Sequence, residues 1–348
     1  MRLFVVVVTL LLAHAVAWGA PPAIGGSLNA PAFWQAFKAR FISPAGRVVD
    51  NANKNISHSE GQGYGMLLAV AANDRATFDL LWQWSQTQLG RDDGLFAWKW
   101  DPNSTPHVVD ANDASDGDLL IAWALAEAGE HWPGSPYTTA SAEIARAISK
   151  TLVIDSDFGP VLIPGSVGFD AGSRRDAPVV NLSYWVFPAF WRLQYIAPEG
   201  PWAALAKSGA ALVSSARFGA SGLPSDWISI HGAPRPADGY ATTFGFDAVR
   251  IPLYFLWGGM GTKARLAPYA ALWTDQTSPP RRIDVLSNEA LDPMASKGYL
   301  AIAALVRCAD SGAKLPTDLT GADVDFYYPT TLRALTLIAA RQRFPECL

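Results

Sequence analysis

Apolar residues recur at three-and-four spacing in eleven stretches of the chain, roughly 31–41, 63–73, 76–88, 117–129, 139–152, 182–195, 201–214, 247–257, 263–273, 295–307 and 328–341. That is the period of a helix with one buried face. In 76–88, Phe78, Leu81 and Trp82 share a face with Trp84 beside them, Asp79, Gln83 and Gln86 lie elsewhere, and Asp74 is placed to cap the start. The intervening segments carry turn chemistry, as in Asp92-Asp93-Gly94, Pro133-Gly134-Ser135-Pro136 and Gly232-Ala233-Pro234-Arg235-Pro236. Short strands are expected near 160–164 and 223–230. The pattern predicts one all-α domain of eleven or twelve helices arranged as successive helical hairpins. Such hairpins stack as an open solenoid or close into a toroid, and periodicity does not choose between them. The long loops hold the unusual residues, so they are expected to gather on one face as a cleft.

The helical pattern does not extend to the first residues. Met1-Arg2 precedes an almost wholly apolar run from Leu3 to Ala13, and small residues follow in Ala13-His14-Ala15-Val16-Ala17. A charged start, an apolar run too short to span a bilayer and an A-x-A pattern read as a secretory signal peptide over 1–17, cleaved at about 15–20. The single domain then occupies 18–348, in a protein exported to the periplasm or beyond. Half of the 348 residues are hydrophobic and 17% are charged, which favours a large buried core over disorder. The net charge of −4, with Lys and Arg scattered, gives nucleic acid no basic surface to bind. A monomer is expected. Cys308 and Cys347 are the only cysteines and in an oxidising compartment could join the last helical region to the tail, a pairing that spacing leaves open.

Three stretches could carry chemistry. Ser59-Glu60-Gly61-Gln62-Gly63-Tyr64-Gly65-Met66 sets one acid among three glycines. Each glycine costs a helix roughly 1 kcal/mol relative to Ala, so close approach of another body is the expected reason for them. Glu60 is then a proton donor facing that body, or only a first-turn acid on a helix whose Gly61 and Gly65 admit a neighbouring helix. The second stretch, Asp110-Ala111-Asn112-Asp113-Ala114-Ser115-Asp116-Gly117-Asp118, has more carboxylates than one helix start needs. Either one of them faces a ligand or the loop is simply rich in caps. In the third, Thr243-Phe244-Gly245-Phe246-Asp247-Ala248-Val249-Arg250, Asp247 and Arg250 form a helical ion pair, and the Arg keeps the Asp ionised as a general base requires. Aromatic rings next to polar residues, in Phe96-Ala97-Trp98-Lys99-Trp100, Asn181-Leu182-Ser183-Tyr184-Trp185, Asp226-Trp227 and Asp325-Phe326-Tyr327-Tyr328, suit a ligand with flat apolar faces and many hydroxyls, such as a sugar chain. No metal or cofactor is expected: the histidines are isolated, and H-E-x-x-H, G-x-S-x-G and P-loop patterns are absent.

The first stretch, followed by Ala114-Ser115-Asp116-Gly117-Asp118-Leu119-Leu120-Ile121-Ala122-Trp123-Ala124-Leu125, resembles glycoside hydrolase family 8. Ala71-Ala72-Asn73-Asp74-Arg75, Asn181-Leu182-Ser183-Tyr184 and Phe246-Asp247-Ala248-Val249-Arg250 resemble, within it, the exported endo-β-1,4-glucanases that accompany bacterial cellulose synthase. The resemblance runs from about Phe33 to about Leu337. It implies an (α/α)6 toroid with an open cleft, inverting hydrolysis of β-1,4-glucan, and a functional association with the cellulose synthase machinery. It makes Glu60 the general acid and Asp247 the base that activates water, with Arg250 orienting Asp247. Asp116 would hold and distort the sugar at the cleavage point, with Asp118 behind it. Trp98, Trp100, Tyr184 and Tyr328 become platforms or hydroxyl partners. Phe246 stands where related members often carry a Tyr, so a hydrogen bond near the attacking water is expected to be missing. Xylan, mixed-linkage glucan and chitosan remain as other substrates within the family, and a polysaccharide-binding protein without catalysis is the reading from a different class.

Overall fold

The structure, a computed structural model, describes residues 22–274 and 278–348; the signal peptide assigned to 1–17 lies outside them. Eleven α-helices dominate the described residues: α1 Pro31–Phe41, α2 Ser59–Ala71, α3 Arg75–Gln88, α4 Ser115–His131, α5 Tyr137–Thr151, α6 Phe187–Ile196, α7 Trp202–Ser215, α8 Ile251–Trp257, α9 Lys263–Leu272, α10 Lys297–Ser311 and α11 Tyr327–Arg343. None of the helices is long and apolar enough to cross a membrane.

The helices divide by how they are buried. In α8 every residue is buried, in α2 every residue but Glu60, and in α4 every residue from Ser115 to Ala128. A helix apolar all round needs neighbours on every side. By contrast α5 buries only the stripe Tyr137, Ser141, Ala142, Ile144, Ala145 and Ile148 and leaves its other face to solvent. The helix α2 packs on α3 and α4, α4 on α5 and α6, α6 on α7 and α8, and α8 on α10 and α11; α11 then returns to α2. The buried helices thus form a circuit around a shared apolar core, where each fully buried Leu, Ile or Phe is worth about 1.5–3 kcal/mol.

Close packing accounts for the glycines. A Cβ on Gly63 would lie 2.5 Å from the Leu120 Cβ, and one on Gly117 would lie 2.7 Å from the Glu60 backbone N, so α2 and α4 approach backbone to backbone. Gly65 faces Val48 and Gly61 faces the Tyr327 hydroxyl. The glycines do admit a neighbouring helix, but through Gly63 rather than the Gly61 and Gly65 pair. The helix α2 also begins four residues earlier than expected, at Ser59, which places Glu60 in its first turn.

Two other helices start later than periodicity suggests. The Asn181 side chain accepts from the Ser183 N–H and folds Leu182–Tyr184 into a separate 3-10 turn before α6, which opens with Pro188 in its first turn. Ala248–Arg250 is likewise a 3-10 turn ahead of α8. The strands are short, two to four residues. Val153–Ser156 pairs with Gly159–Leu162 near the strand expected at 160–164, and Ile228–Ser229 falls within 223–230. The three-stranded sheet of Thr243–Phe244, Arg281–Asp284 and Ala290–Pro293 had no sequence signal, so the fold is helical with small sheets bracing its loops. A disulfide joins Cys308 on α10 to Cys347, with 5.9 Å between the Cα atoms, and ties the C-terminal turn to the helical body.

Candidate active site

The first turns of α2 and α4 and the 3-10 turn before α8 converge on one buried guanidinium. Arg250 Nη1 donates to Glu60 Oε1, to Asp116 Oδ2 at 3.1 Å and to the Tyr64 hydroxyl at 3.2 Å. Its Nη2 donates to Ser183 Oγ at 2.8 Å and to Asp247 Oδ1 at 3.4 Å. Three carboxylates, from stretches as far apart as 60 and 247, therefore meet on a single cation. Their exposure is graded. The Arg250 and Asp116 side chains are 2% and 3% exposed, whereas Glu60 is 18% and Asp247 32% exposed. The two residues expected to be acid and base reach solvent; Arg250 and Asp116 lie beneath them.

One guanidinium cannot neutralise three carboxylates, and the balance shows in the acidities of Glu60 and Asp116. Burial pushes the Glu60 carboxyl up, Arg250 opposes this, and the Asp247 charge adds to the rise. Asp116 is pushed up to about 7, first by burial and then by the Glu60 charge, against the pull of Arg250. The cluster therefore retains a proton under conditions where an exposed carboxyl would have lost it. Because Arg250 sits on Glu60, it also stabilises the carboxylate left once that proton is given away.

Arg250 serves all three acids rather than Asp247 alone, and its bond to Asp247 is the longest of the set. The shorter anchor is Asn181, whose Nδ2 donates to Asp247 Oδ2 at 2.9 Å. Asn181, Ser183 and Tyr64 are functional neighbours that sequence reasoning left without roles. Tyr64 could have been found, since it follows Glu60 by one helical turn. Asp118 is fully buried and accepts from the Phe96 N–H at 2.9 Å.

Among the expected platforms, Tyr184 and Tyr328 lie beside the guanidinium, their ring centroids 5.6 and 6.0 Å from it. The Tyr328 hydroxyl donates to the Phe246 carbonyl at 2.8 Å. Trp98 is partly exposed, donates from Nε1 to Asp110 at 2.9 Å and carries Lys99 over its ring. Trp100 is engaged otherwise than expected: Arg47 lies over its ring, His107 is 4.2 Å away and Trp84 meets its edge, so it braces the loop. Phe246 turns an exposed ring toward Tyr299 and lines a cavity of about 440 Å³ with Asp50, Phe326 and Tyr328.

The model of glycosyl hydrolases family 8 matches residues 5–342 of the chain. The chain belongs to this family. A probable endoglucanase of Novacetimonas hansenii is 37% identical to it over 88% of this chain and 89% of the relative. An endoglucanase of Cellulomonas uda is 40% identical over 77% of this chain and 75% of the relative. The endo-β-1,4-glucanase CMCax of Acetobacter xylinum superposes with a TM-score of 0.82 at 36% identity, over 91% of this chain and 99% of that one. The family 8 resemblance in the Glu60 and Asp116 stretches is therefore borne out along nearly the whole length. A glycoside hydrolase needs a carboxyl that can donate a proton and a carboxylate that can take one, and this family 8 chain brings Glu60 and Asp247 to the same cation.

Proposed function

We propose that the chain is an inverting endo-β-1,4-glucanase acting on cellulose or a closely related glucan. The observation that carries the reading is the pairing of the two most exposed carboxylates of the cluster, Glu60 and Asp247, on opposite nitrogens of Arg250. Glu60 donates its retained proton to the glycosidic oxygen, and the bond from that oxygen to the anomeric carbon breaks. Asp247, held by Asn181 and Arg250, removes a proton from a water that attacks the anomeric carbon from the other face. The product carries the inverted configuration, a reaction that requires about 6.5–9.5 Å between the two carboxyls. Asp116 and Asp118 hold the floor of the cleft, with Asp116 gripping the sugar at the cleavage point. Tyr184, Tyr328 and Trp98 flank the glucan.

The circuit of buried helices supports an (α/α)6 toroid made by one catalytic domain over 18–348. The leader-like first residues and the Cys308–Cys347 bridge support export to an oxidising compartment. The phrases at 71–75, 181–184 and 246–250, which resemble those of endoglucanases that accompany bacterial cellulose synthase, support a role beside bacterial cellulose synthesis. Reducing-end release from soluble carboxymethyl-cellulose, with mass spectrometry of products from a panel of β-1,4-linked polysaccharides, tests the activity. Short cello-oligosaccharides from internal cleavage are expected. Binding without new reducing ends would mark a lectin, and preferential release from xylan, mixed-linkage glucan or chitosan would replace the substrate.

A further inference from the structure

Asp226 lies outside the Arg250 cluster but governs the segment that presents Asp247. Its Oδ1 accepts from two backbone amides, Gly245 N–H at 2.9 Å and Ala248 N–H at 2.8 Å, which bracket Phe246 and Asp247. Asp226 is itself anchored, its own N–H donating to the Thr243 carbonyl at 2.7 Å and its Oδ2 facing the Thr243 hydroxyl at 3.5 Å. The carboxylate sits flush on the loop: a Cβ on Gly245 would come within 2.4 Å of Asp226 Oδ2.

The start of a helical turn leaves N–H groups without acceptors, and an Asp in the N-cap position ordinarily supplies one from its own side chain. Asp247 occupies that position ahead of Ala248–Arg250, yet its side chain caps nothing. The two N–H groups such a side chain would meet are taken by backbone carbonyls, Val249 N–H by Gly245 at 3.2 Å and Arg250 N–H by Asp247 at 3.0 Å, and the remaining Ala248 N–H is taken by Asp226 from 22 residues away in sequence. None of these N–H groups calls on the Asp247 carboxylate, which is left to Asn181, Arg250 and the cleft.

We propose that Asp226 is a positioning residue, a carboxylate that clamps the backbone on both sides of Asp247 and so aims the Asp247 side chain at water. The proposal rests on the reading of Asp247 as the base. Its test compares Asp226→Ala, Asp226→Asn and Asp247→Asn on a soluble cello-oligosaccharide, with kcat and KM normalised to folded protein. Asp226→Ala is expected to lower kcat about 10²-fold, the scale for a reacting group displaced by about an ångström, with KM nearly unchanged. Asp226→Asn keeps an oxygen able to accept both N–H bonds, so most of kcat should return. If Asp226→Ala turns over normally, or Asp226→Asn is as impaired as Asp226→Ala, the positioning role is wrong. Should Asp226→Ala fail to fold, Gly245→Ala presses on the same contact. Loss of kcat with oligosaccharide binding retained then supports the role, and an unchanged kcat overturns it. Asp247→Asn separates the two claims. Normal turnover there removes the base itself, whereas an inactive Asp247→Asn beside a normal Asp226→Ala removes only the positioning residue.

Discussion

The two ends of α2 each set a carboxylate at the start of a helix, and they treat it in opposite ways. Past the C-terminal end, Asp74 caps α3 and is surrounded by donors: Lys38 Nζ at 2.7 Å, Trp34 Nε1 at 2.9 Å, and the Thr77 hydroxyl and N–H at 2.9 and 3.1 Å. Burial pushes this carboxyl up, but the bonds from Lys38, Trp34 and Thr77 outweigh it and leave Asp74 at about 2. At the N-terminal end, Glu60 and Asp116 compete with Asp247 for one cation and are both raised. The larger cavity, about 720 Å³, opens at the Asp74 end beside Trp34, Gln35 and Asn73. What sets the Glu60 end apart is the ratio of carboxylates to donors, not the volume of the opening. A carboxylate with donors to spare holds structure together, and one that must share is ready to exchange a proton.

Breaking the Glu60 end is expected to have the largest effect. Glu60→Gln and Asp247→Asn should each lower hydrolysis by about 10²–10⁴-fold or more while oligosaccharide binding, measured by calorimetry, persists. Near-normal turnover in either variant would remove that residue from its role. Arg250→Met leaves three carboxylates around a lost cation and should destabilise the fold by about 3–5 kcal/mol in denaturant titration as well as end activity.

The finer contrast is between Asp116→Asn and Asp74→Asn. Asp116 has a raised carboxyl, so its ionisation weakens the fold as pH climbs from about 4 through about 7. Asp116→Asn should flatten that slope and hold or raise the neutral-pH melting temperature while activity falls. Asp74 has a lowered carboxyl, so its contribution is present above about pH 4 and is lost as pH falls through about 2. Asp74→Asn should therefore cost up to about 2 kcal/mol at neutral pH and leave kcat unchanged. If both variants destabilised equally, or both left activity intact, the distinction between the two ends would not stand.

Much of this was legible in the chain. Helix spacing located α1 to its end residues, and Asp74 as the cap of α3 followed from residue type alone. The Glu60 and Asp116 stretches stood out because each had more glycine or acid than its helix needed, and Asp247 because Arg250 follows it at helical spacing. Less legible was whatever depended on partners distant in sequence. The true start of α2 was hidden by its glycines, which face Tyr327, Leu120 and Val48 from distant parts of the chain. Asn181 and Asp226 act on the Asp247 segment from 66 and 22 residues away and belong to no local pattern. Trp100 looked like a free ring until the fold laid Arg47 over it.

The most direct measurement is proton NMR of the anomeric signals while the enzyme cleaves a defined cello-oligosaccharide, read before mutarotation. Hydrolysis by Glu60 as acid and Asp247 as base through an intervening water predicts that the new reducing end appears first as the α-anomer. A β-anomer appearing first would mean a covalent, retaining route and would contradict the assignment of the pair.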